Sequence, residues 1–146
     1  MPISSIVTES FRRSFVLYGD LIESIDEEIL SSKLPTLPSN TLGLQLWCVV
    51  GARESMTAAI KANKWSGFSC SLASTTEKTP VADALRRSAD GVSEILDTID
   101  SFTDVQNRLL IDLLEHEAAH HGQLIRYLYG LRLTIPESWK AKYALD

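Results

Sequence analysis

Four segments of the sequence carry apolar residues at intervals of three and four, and this spacing restricts the fold more than any other feature. The pattern is typical of one buried face of an α-helix. No segment shows the alternation of apolar and polar residues that indicates a half-buried strand. We therefore predict one all-α domain over residues 1–146, a four-helix bundle with long crossover loops and a short C-terminal tail.

The first predicted helix begins at Phe11. Its apolar face consists of Phe11, Phe15, Tyr18, Leu21 or Ile22, Ile25 and Ile29. A stiff connector with two prolines follows it. The Ser-Asn-Thr sequence at residues 39–41 then offers N-cap side chains to the next helix.

The second predicted helix, roughly Asn40 to Ala62, has two rows of residues that face the interior. The apolar row consists of Leu42, Leu46, Val49, Met56 and Ile60. The other row consists of the small or polar residues Gln45, Cys48, Ala52 and Ser55. Such side chains fill a core poorly, so we expect this row either to let a neighbouring helix approach or to line a cavity.

A loop rich in serine, threonine and glycine follows over residues 64–79, and it contains Cys70, to which we assign no role. Thr79 before Pro80 predicts the start of a third helix. The inward residues of that helix are Val81, Leu85, Val92, Ile95 or Leu96, and Ile99.

Asp104 is the predicted N-cap of the fourth helix, and Gly130 lies where a glycine commonly ends one. The inward row of this helix consists of Leu109, Leu113, His116, His120, Leu124 and Tyr127 or Leu128. Residues 133–146 form the predicted tail.

The charge balance limits the classes of partner. The chain has 14 basic and 19 acidic side chains and a net charge of −5, which disfavours nucleic acid, because such partners need a clustered basic surface. Two Arg-Arg pairs, at 12–13 and 86–87, lie among acidic residues and fit solvated helix faces. No apolar run reaches the length of a signal peptide or a membrane span, so we expect a cytoplasmic protein without a membrane partner or a disulfide between Cys48 and Cys70.

All three histidines lie within the stretch HEAAHHGQ, residues 116–123. His116 and His120 are four positions apart and therefore share one helical face, on the apolar row. A buried imidazole needs a hydrogen bond, an ion pair or a metal to offset its lost hydration. Two rings sharing a metal ion meet this requirement, although ordinary hydrogen bonds would also meet it. His121 points about 100° away from His120, toward a different neighbour or solvent.

A metal held by two imidazoles needs a third ligand from another helix, and Cys48 is the best-placed candidate. It lies on the row without bulky apolar residues, whereas carboxylates on the first and third helices remain possible alternatives. A metal ion deprotonates a thiol outright. A Cys/His/His set with its fourth position open to water or substrate is the arrangement of a catalytic zinc centre. The alternative is that Cys48 is simply a small buried residue, as free cysteine commonly is.

The sequence resembles the DinB/YfiT-like superfamily of metal-binding four-helix bundles over nearly its whole length. The family opens its second helix with Asn-Ser or Asn-Thr and places a metal-binding histidine eight residues later, often after tryptophan. Asn40, Thr41 and Trp47 fit this pattern, and Cys48 takes the place of the histidine. The fourth helix of the family has two histidines four apart followed by Gly-Gln, as in residues 116–123, and the ending GLRLTIPESW is similar to the family's Gly, Pro, Trp tail.

This resemblance implies a bundle that is commonly a homodimer and that holds a divalent metal near one end. The residues themselves favour zinc, and the family adds nickel and iron as options. Characterised relatives include transferases and isomerases that use a low-molecular-weight thiol. The resemblance therefore implies a thiol or another small molecule as a partner.

Two enzymatic functions follow from these residues. One is a metal-dependent enzyme, of the thiol-dependent transferase or hydrolase class, in which Cys48, His116 and His120 hold a divalent ion that activates a thiol or a water. Candidates for orienting these ligands through hydrogen bonds are Gln45, Glu117 and Gln123. The other is a metal-free enzyme in which a nearby histidine activates Cys48 as a nucleophile.

A third function is non-catalytic. Cysteine at the usual histidine position fits a dimeric binding or scaffold protein with a degenerate metal site. In that case Trp139 and Tyr143 of the tail could cover a groove on the partner.

Overall fold

A computed structural model describes residues 3–98 and 101–146, and this part of the chain is all-helical and contains no β-strand. Its α-helices are α1 (Ile3–Ser24), α2 (Leu42–Ala62), α3 (Lys78–Thr98), α4 (Asp104–Gly130) and α5 (Glu137–Tyr143). A short 3₁₀ helix, Glu27–Ser31, follows α1. The predicted all-α class is confirmed. Within the described residues, no helix is both long enough and apolar enough to cross a membrane.

The long helices pack against one another in a closed arrangement. Helix α2 contacts both α3 and α4, and α1 contacts the same two helices from the other side. The short α5 packs on α1. The 3₁₀ helix packs on α2.

The interior consists of two apolar clusters separated by polar side chains. The first cluster includes Tyr18, Leu46, Leu85 and Tyr127, and the second includes Phe11, Ile60, Val92 and Leu113. Between these positions each long helix carries a buried polar residue, namely Ser14, Arg53, Ser88 and Glu117. We call these four residues the polar layer. It places ionisable groups in the middle of the core, where each of them needs a partner.

The first helix differs from its prediction at both ends. It begins at Ile3, well before Phe11, and it ends at Ser24, so Ile29 lies in the 3₁₀ helix. The apolar spacing marks only the turns that face the core. Earlier turns of α1 are mostly exposed, and only Val7 packs against the second cluster.

The start of α2 follows the prediction, whereas the cap of α4 does not. The Thr41 side chain accepts a hydrogen bond from the Leu44 backbone N–H, as an N-cap should. The cap of α4 is Thr103 instead of Asp104, because Thr103 and Gln106 form a reciprocal capping box. Thr103 is the cap because Gln106, three positions later, donates one hydrogen bond of the box and accepts the other.

The start of α3 also differs. The helix begins at Lys78, so Thr79 lies inside it and does not cap it. The Lys78 backbone N–H donates to Glu27 Oε2 at 2.9 Å. A carboxylate that is distant in sequence thus satisfies a helix-end donor, which local sequence patterns do not reveal.

Most predicted core positions on α2 and α3 are buried. Val81, Leu85, Val92 and Ile95 are buried, whereas Leu96 is half-buried. On α2 the prediction holds except at Met56, which is half-buried. The predicted core position Ile99 lies outside the described residues.

The end of α4 and the tail differ most from the prediction. Gly130 is the last residue of α4, and the left-handed backbone conformation occurs at Arg132, with φ of 54°. Trp139 on α5 is completely buried, and its Nε1–H donates to the Leu17 carbonyl at 2.7 Å. The prediction that Trp139 covers a partner's groove is therefore wrong, because this ring is buried within its own chain, whereas Tyr143 is half-buried beside it.

Candidate metal centre

Helices α2 and α4 bring together the three residues predicted as metal ligands. Cys48, His116 and His120 each offer one donor atom, and these atoms all lie within 4.8 Å of one another. The Cys48 Sγ lies 3.5 Å from His116 Nε2. Cys48 and His116 are half-buried, and His120 is buried. This group could hold a metal ion.

The separation between the Cys48 sulfur and the His116 nitrogen fits a tetrahedral ion. With metal bonds of about 2.3 Å to sulfur and about 2.05 Å to nitrogen, a tetrahedral angle separates the two donor atoms by about 3.6 Å. The observed distance of 3.5 Å between Cys48 Sγ and His116 Nε2 matches this value. Three protein donors also leave one tetrahedral position for water or a substrate, which is the pattern of catalytic zinc.

The protein alone leaves the His116 ring poorly satisfied. Its Nδ1 is buried and has no hydrogen-bond partner among the described residues. Its Nε2 has the Cys48 sulfur at 3.5 Å, and sulfur is a weak hydrogen-bonding group. The neighbouring His120 ring lies at a centroid distance of 4.5 Å and adds no hydrogen bond. A cation bound at Nε2 would replace this weak contact with sulfur, and it would leave the buried Nδ1 without a partner.

The orientation of His120 is set by a chain of hydrogen bonds from α2. Gln45 Nε2 donates to Asn40 Oδ1 at 2.7 Å, so Gln45 Oε1 faces the histidine. His120 Nδ1–H donates to this oxygen at 2.7 Å. Tyr127 also donates its hydroxyl proton to the Asn40 backbone carbonyl. The proton on His120 is therefore on Nδ1, and Nε2 keeps a lone pair for a metal.

Burial keeps both imidazoles neutral and the thiol protonated. Burial, together with the adjacent His116, lowers the pKa of His120 to about 4. Burial also lowers the pKa of His116. For Cys48, burial raises the pKa of the thiol. At neutral pH the two rings are thus ready to act as ligands, whereas the thiol has to lose its proton first.

Two of the three side chains predicted to orient the ligands lie elsewhere. Gln45 contacts His120 directly. Glu117 points away from the metal ligands, into the polar layer, where Arg53 Nε donates to its Oε1 at 2.6 Å. Gln123 is exposed on the surface of α4.

The buried ion pair between Arg53 and Glu117 was missed by the sequence analysis. The Arg53 Nη2 donates to the second carboxylate oxygen at 3.0 Å, so the contact is bidentate. The guanidinium also lies over the rings of Phe15 and Tyr18, at 4.7 and 5.0 Å. Burial alone would raise the pKa of Glu117, but Arg53, Ser14 and His121 lower it below its ordinary value.

His121 is buried and belongs to the same hydrogen-bond network. Of its two predicted environments, a different neighbour or solvent, the structure shows the first. Ser14 Oγ donates to Glu117 Oε2 at 2.5 Å, so it accepts from His121 Nε2–H at 2.8 Å. His121 Nδ1 then accepts from the Tyr143 hydroxyl at 2.6 Å. Burial lowers the pKa of His121 to about 4, which keeps this ring neutral. Its donors and acceptors are fully used, so it is not a fourth ligand.

Ala52 and Ser55, the other two residues of the row that contains Gln45 and Cys48, make structural contacts away from the metal ligands. Ala52 packs in the second apolar cluster. Ser55 Oγ accepts from the Ser69 N–H at 2.9 Å and donates to the Ser69 carbonyl at 3.0 Å, so it holds the long loop against α2. Half-buried Cys70 lies in this loop, and its thiol donates to the Trp47 carbonyl at 3.5 Å.

The resemblance to the DinB/YfiT-like superfamily stays a prediction. No protein-family model matches this chain, and no curated protein matches it in sequence. The geometry of the donor group therefore carries the functional argument.

Proposed function

We propose that the protein is a metal-dependent enzyme in which Cys48, His116 and His120 hold a divalent ion, with zinc as the preferred metal. The observation that carries the proposal is the convergence of one sulfur and two nitrogen donors, from two helices, within 4.8 Å. The separation of 3.5 Å between the sulfur and one nitrogen fits tetrahedral coordination. The fold that belongs to this proposal is a DinB-like four-helix bundle.

The chain's own residues prepare the donors for this role. Gln45 fixes His120 with its lone pair on Nε2, so the ring needs no rearrangement before it binds a cation. Burial favours the neutral form of both rings, which is the form that coordinates metal. When bound, a divalent ion supplies Lewis acidity and lowers the pKa of a thiol or water at its open position. The corresponding reaction class is a thiol-dependent transfer or a hydrolysis.

Metal analysis of protein purified without a histidine tag tests the proposal. The wild-type chain should retain near-stoichiometric metal after dialysis, and the Cys48→Ala variant should lose most of it. Cys70→Ala is the matched control, because it removes the other half-buried thiol of the chain. Equal metal content in Cys48→Ala and wild type would contradict the assignment of the sulfur ligand.

Cobalt(II) gives an independent readout of the ligand set. The ion absorbs strongly in tetrahedral sites, and a thiolate ligand adds a charge-transfer band. We expect this band in the wild type and in Cys70→Ala but not in Cys48→Ala. Titration of the cobalt protein with a low-molecular-weight thiol should increase the band, because the open position then accepts a second sulfur.

The second enzymatic function, with Cys48 as a metal-free nucleophile, is favoured by its contact with His116. Burial raises the pKa of this thiol, however, and a nucleophilic cysteine needs a lowered one. We therefore expect iodoacetamide to label Cys48 in metal-free protein more slowly than an exposed free thiol. Faster labelling would favour this function over the metal-dependent one.

The proposal also includes a homodimer and a low-molecular-weight thiol as a partner, both of which follow from the resemblance. It further includes a cytoplasmic location, which follows from the sequence. Sedimentation of the untagged protein tests the dimer. A non-catalytic dimeric binding protein is the alternative if metal binds but cobalt spectra do not respond to any added thiol or to water exchange.

A further inference from the structure

A cavity lies between α1 and α5, away from the metal ligands. Its volume is about 460 Å³. A smaller cavity of about 200 Å³ adjoins it, and the two share Arg13, Leu17 and Lys142 in their walls. Ligand sites commonly have volumes of about 300 to 1,000 Å³. The larger cavity is therefore of a suitable size for a small organic molecule.

The walls of this cavity are positively charged, whereas the chain as a whole is acidic. Arg12, Arg13 and Lys142 line the larger cavity, and Glu9 is the acidic residue beside them. The chain has a net charge of −5. Arg12 pairs with Asp97 at 3.3 Å, but Arg13 and Lys142 form no ion pair within residues 3–98 and 101–146. Three basic side chains and one acidic side chain line this cavity, and this excess of positive charge favours an anionic ligand.

The floor of the cavity is apolar and also contains one unsatisfied hydroxyl. Val16 is 56% exposed there, and Leu17 and Ala141 lie beside it. The aliphatic stems of the arginines and the lysine extend this surface. Ser138 lines the same cavity, and its buried Oγ has no hydrogen-bond partner among the described residues.

We propose that this cavity, which we call the α1/α5 site, binds a small amphipathic anion. The negative headgroup, a carboxylate or a phosphate, contacts Arg13 and Lys142. The apolar chain lies over Val16 and Leu17. A purely polar anion would leave the apolar floor exposed, and a neutral apolar molecule would leave the two cations unpaired.

The α1/α5 site is independent of the metal centre. Ser14 and His121, which line the smaller cavity, use their hydrogen-bonding groups on each other, Glu117 and Tyr143. The headgroup is therefore held by the cations at the opening and not by the buried histidine. Binding should persist in metal-free protein and in the Cys48→Ala variant, so its failure and the failure of the proposed metal function are distinguishable.

Calorimetry with octanoate, octyl phosphate, acetate and octanol tests the proposal. Octanoate and octyl phosphate should both bind, whereas acetate, which lacks the chain, and octanol, which lacks the charge, should bind far more weakly. A preference between octanoate and octyl phosphate identifies the headgroup. Equal binding of acetate and octanoate, or of octanol and octanoate, would overturn the proposal.

A charge-matched pair of double variants locates the site. R13Q/K142Q should weaken octanoate binding roughly fivefold, because each exposed charge contributes a modest free energy. R126Q/K64Q removes two exposed positive charges elsewhere and should leave the affinity unchanged. The circular dichroism spectra of both variants show whether they fold as the wild type does. An equal loss in both variants, or no loss in R13Q/K142Q, would refute the assignment of the site.

Discussion

Cys48 Sγ lies 3.5 Å from His116 Nε2, although 68 positions separate the two residues in the sequence. Helix α2 supplies the sulfur and α4 the nitrogen, so the contact exists only in the folded chain. His120 lies one turn further along α4, and Gln45 on α2 holds its ring. The donor group therefore joins two helices, and any ion that it holds should also stabilise the fold.

Metal binding should strengthen as the pH rises. His120, with its pKa lowered to about 4, and His116, whose pKa is also lowered, are neutral at pH 6.5 and above. The Cys48 thiol, whose pKa is raised, has to release its proton to become a ligand. Apparent zinc affinity should therefore increase about tenfold per pH unit between about pH 6.5 and 8. Calorimetry in buffers of different ionisation enthalpy should detect one proton released per zinc bound, both in the wild type and in the control Cys70→Ala.

Loss of the Gln45 amide should weaken metal binding without removing a ligand. Gln45→Leu leaves the His120 ring free to rotate and to change its tautomer, and changes of this kind cost about 10-fold to 100-fold in metal affinity. Competition with a chromophoric chelator measures the change. Gln123→Leu is the matched control, because Gln123 is an exposed glutamine on α4. If the two variants bind zinc equally well, Gln45 does not orient a ligand.

Removing Arg53 should destabilise the fold severely. Arg53→Met leaves the Glu117 carboxylate buried without its counter-charge, which typically costs about 3 to 5 kcal/mol. Urea unfolding measures this loss. The double variant R53M/E117L should recover part of the stability, since it leaves no unpaired charge. Arg12→Met breaks only an exposed pair with Asp97 and should cost less than about 1 kcal/mol.

The metal-free protein should lose stability in mild acid. The pKa values of His120 and His121 are lowered from 6.5 to about 4 in the folded chain. As the pH falls below 6.5 the unfolded chain therefore binds protons before the folded one does. The stability from these neutral rings is complete above pH 6.5 and is lost between pH 6.5 and about 4. Urea unfolding with EDTA should show this decline, and His121→Gln should make it shallower.

Truncating Trp139 should unfold the tail and weaken the whole domain. Trp139→Ala removes a completely buried side chain and its hydrogen bond to Leu17, at a cost of about 3 to 5 kcal/mol. Trp65 is 50% exposed, so Trp65→Ala should change the stability by no more than about 0.5 kcal/mol. Thermal unfolding followed by circular dichroism compares the two. Equal melting temperatures would show that α5 is not part of the core.

The sequence indicated the helices and the pairing of the two imidazoles because both depend on spacing within one helix. His116 and His120 had to share a face. Cys48 was selected because its row on α2 carries no bulky apolar residue, whereas its approach to His116 depends on how two separate helices pack. Helix ends were predicted less well. The cap of α3 comes from Glu27, far away in the sequence, and no local pattern could indicate it.

The polar layer could not be predicted from the sequence for a different reason. Arg53 and Glu117 are charged residues, and charged residues at helical positions normally face solvent. Only their pairing across α2 and α4 makes burial tolerable, and pairing between distant segments has no signature in one sequence. The single available signal was Arg53 itself, which lies among buried positions of α2, between Val49 and Ile60.

The ion pair between Arg53 and Glu117 also fixes how far α2 can slide along α4. Glu117 directly follows His116 in the sequence, and Arg53 lies little more than one turn beyond Cys48. A slip of one turn, about 5.4 Å, would separate the bidentate pair and leave two bare charges in the core. The ion pair thus sets the register of α2 against α4. The distance between the Cys48 sulfur and the His116 ring should therefore stay the same when the outer loops change.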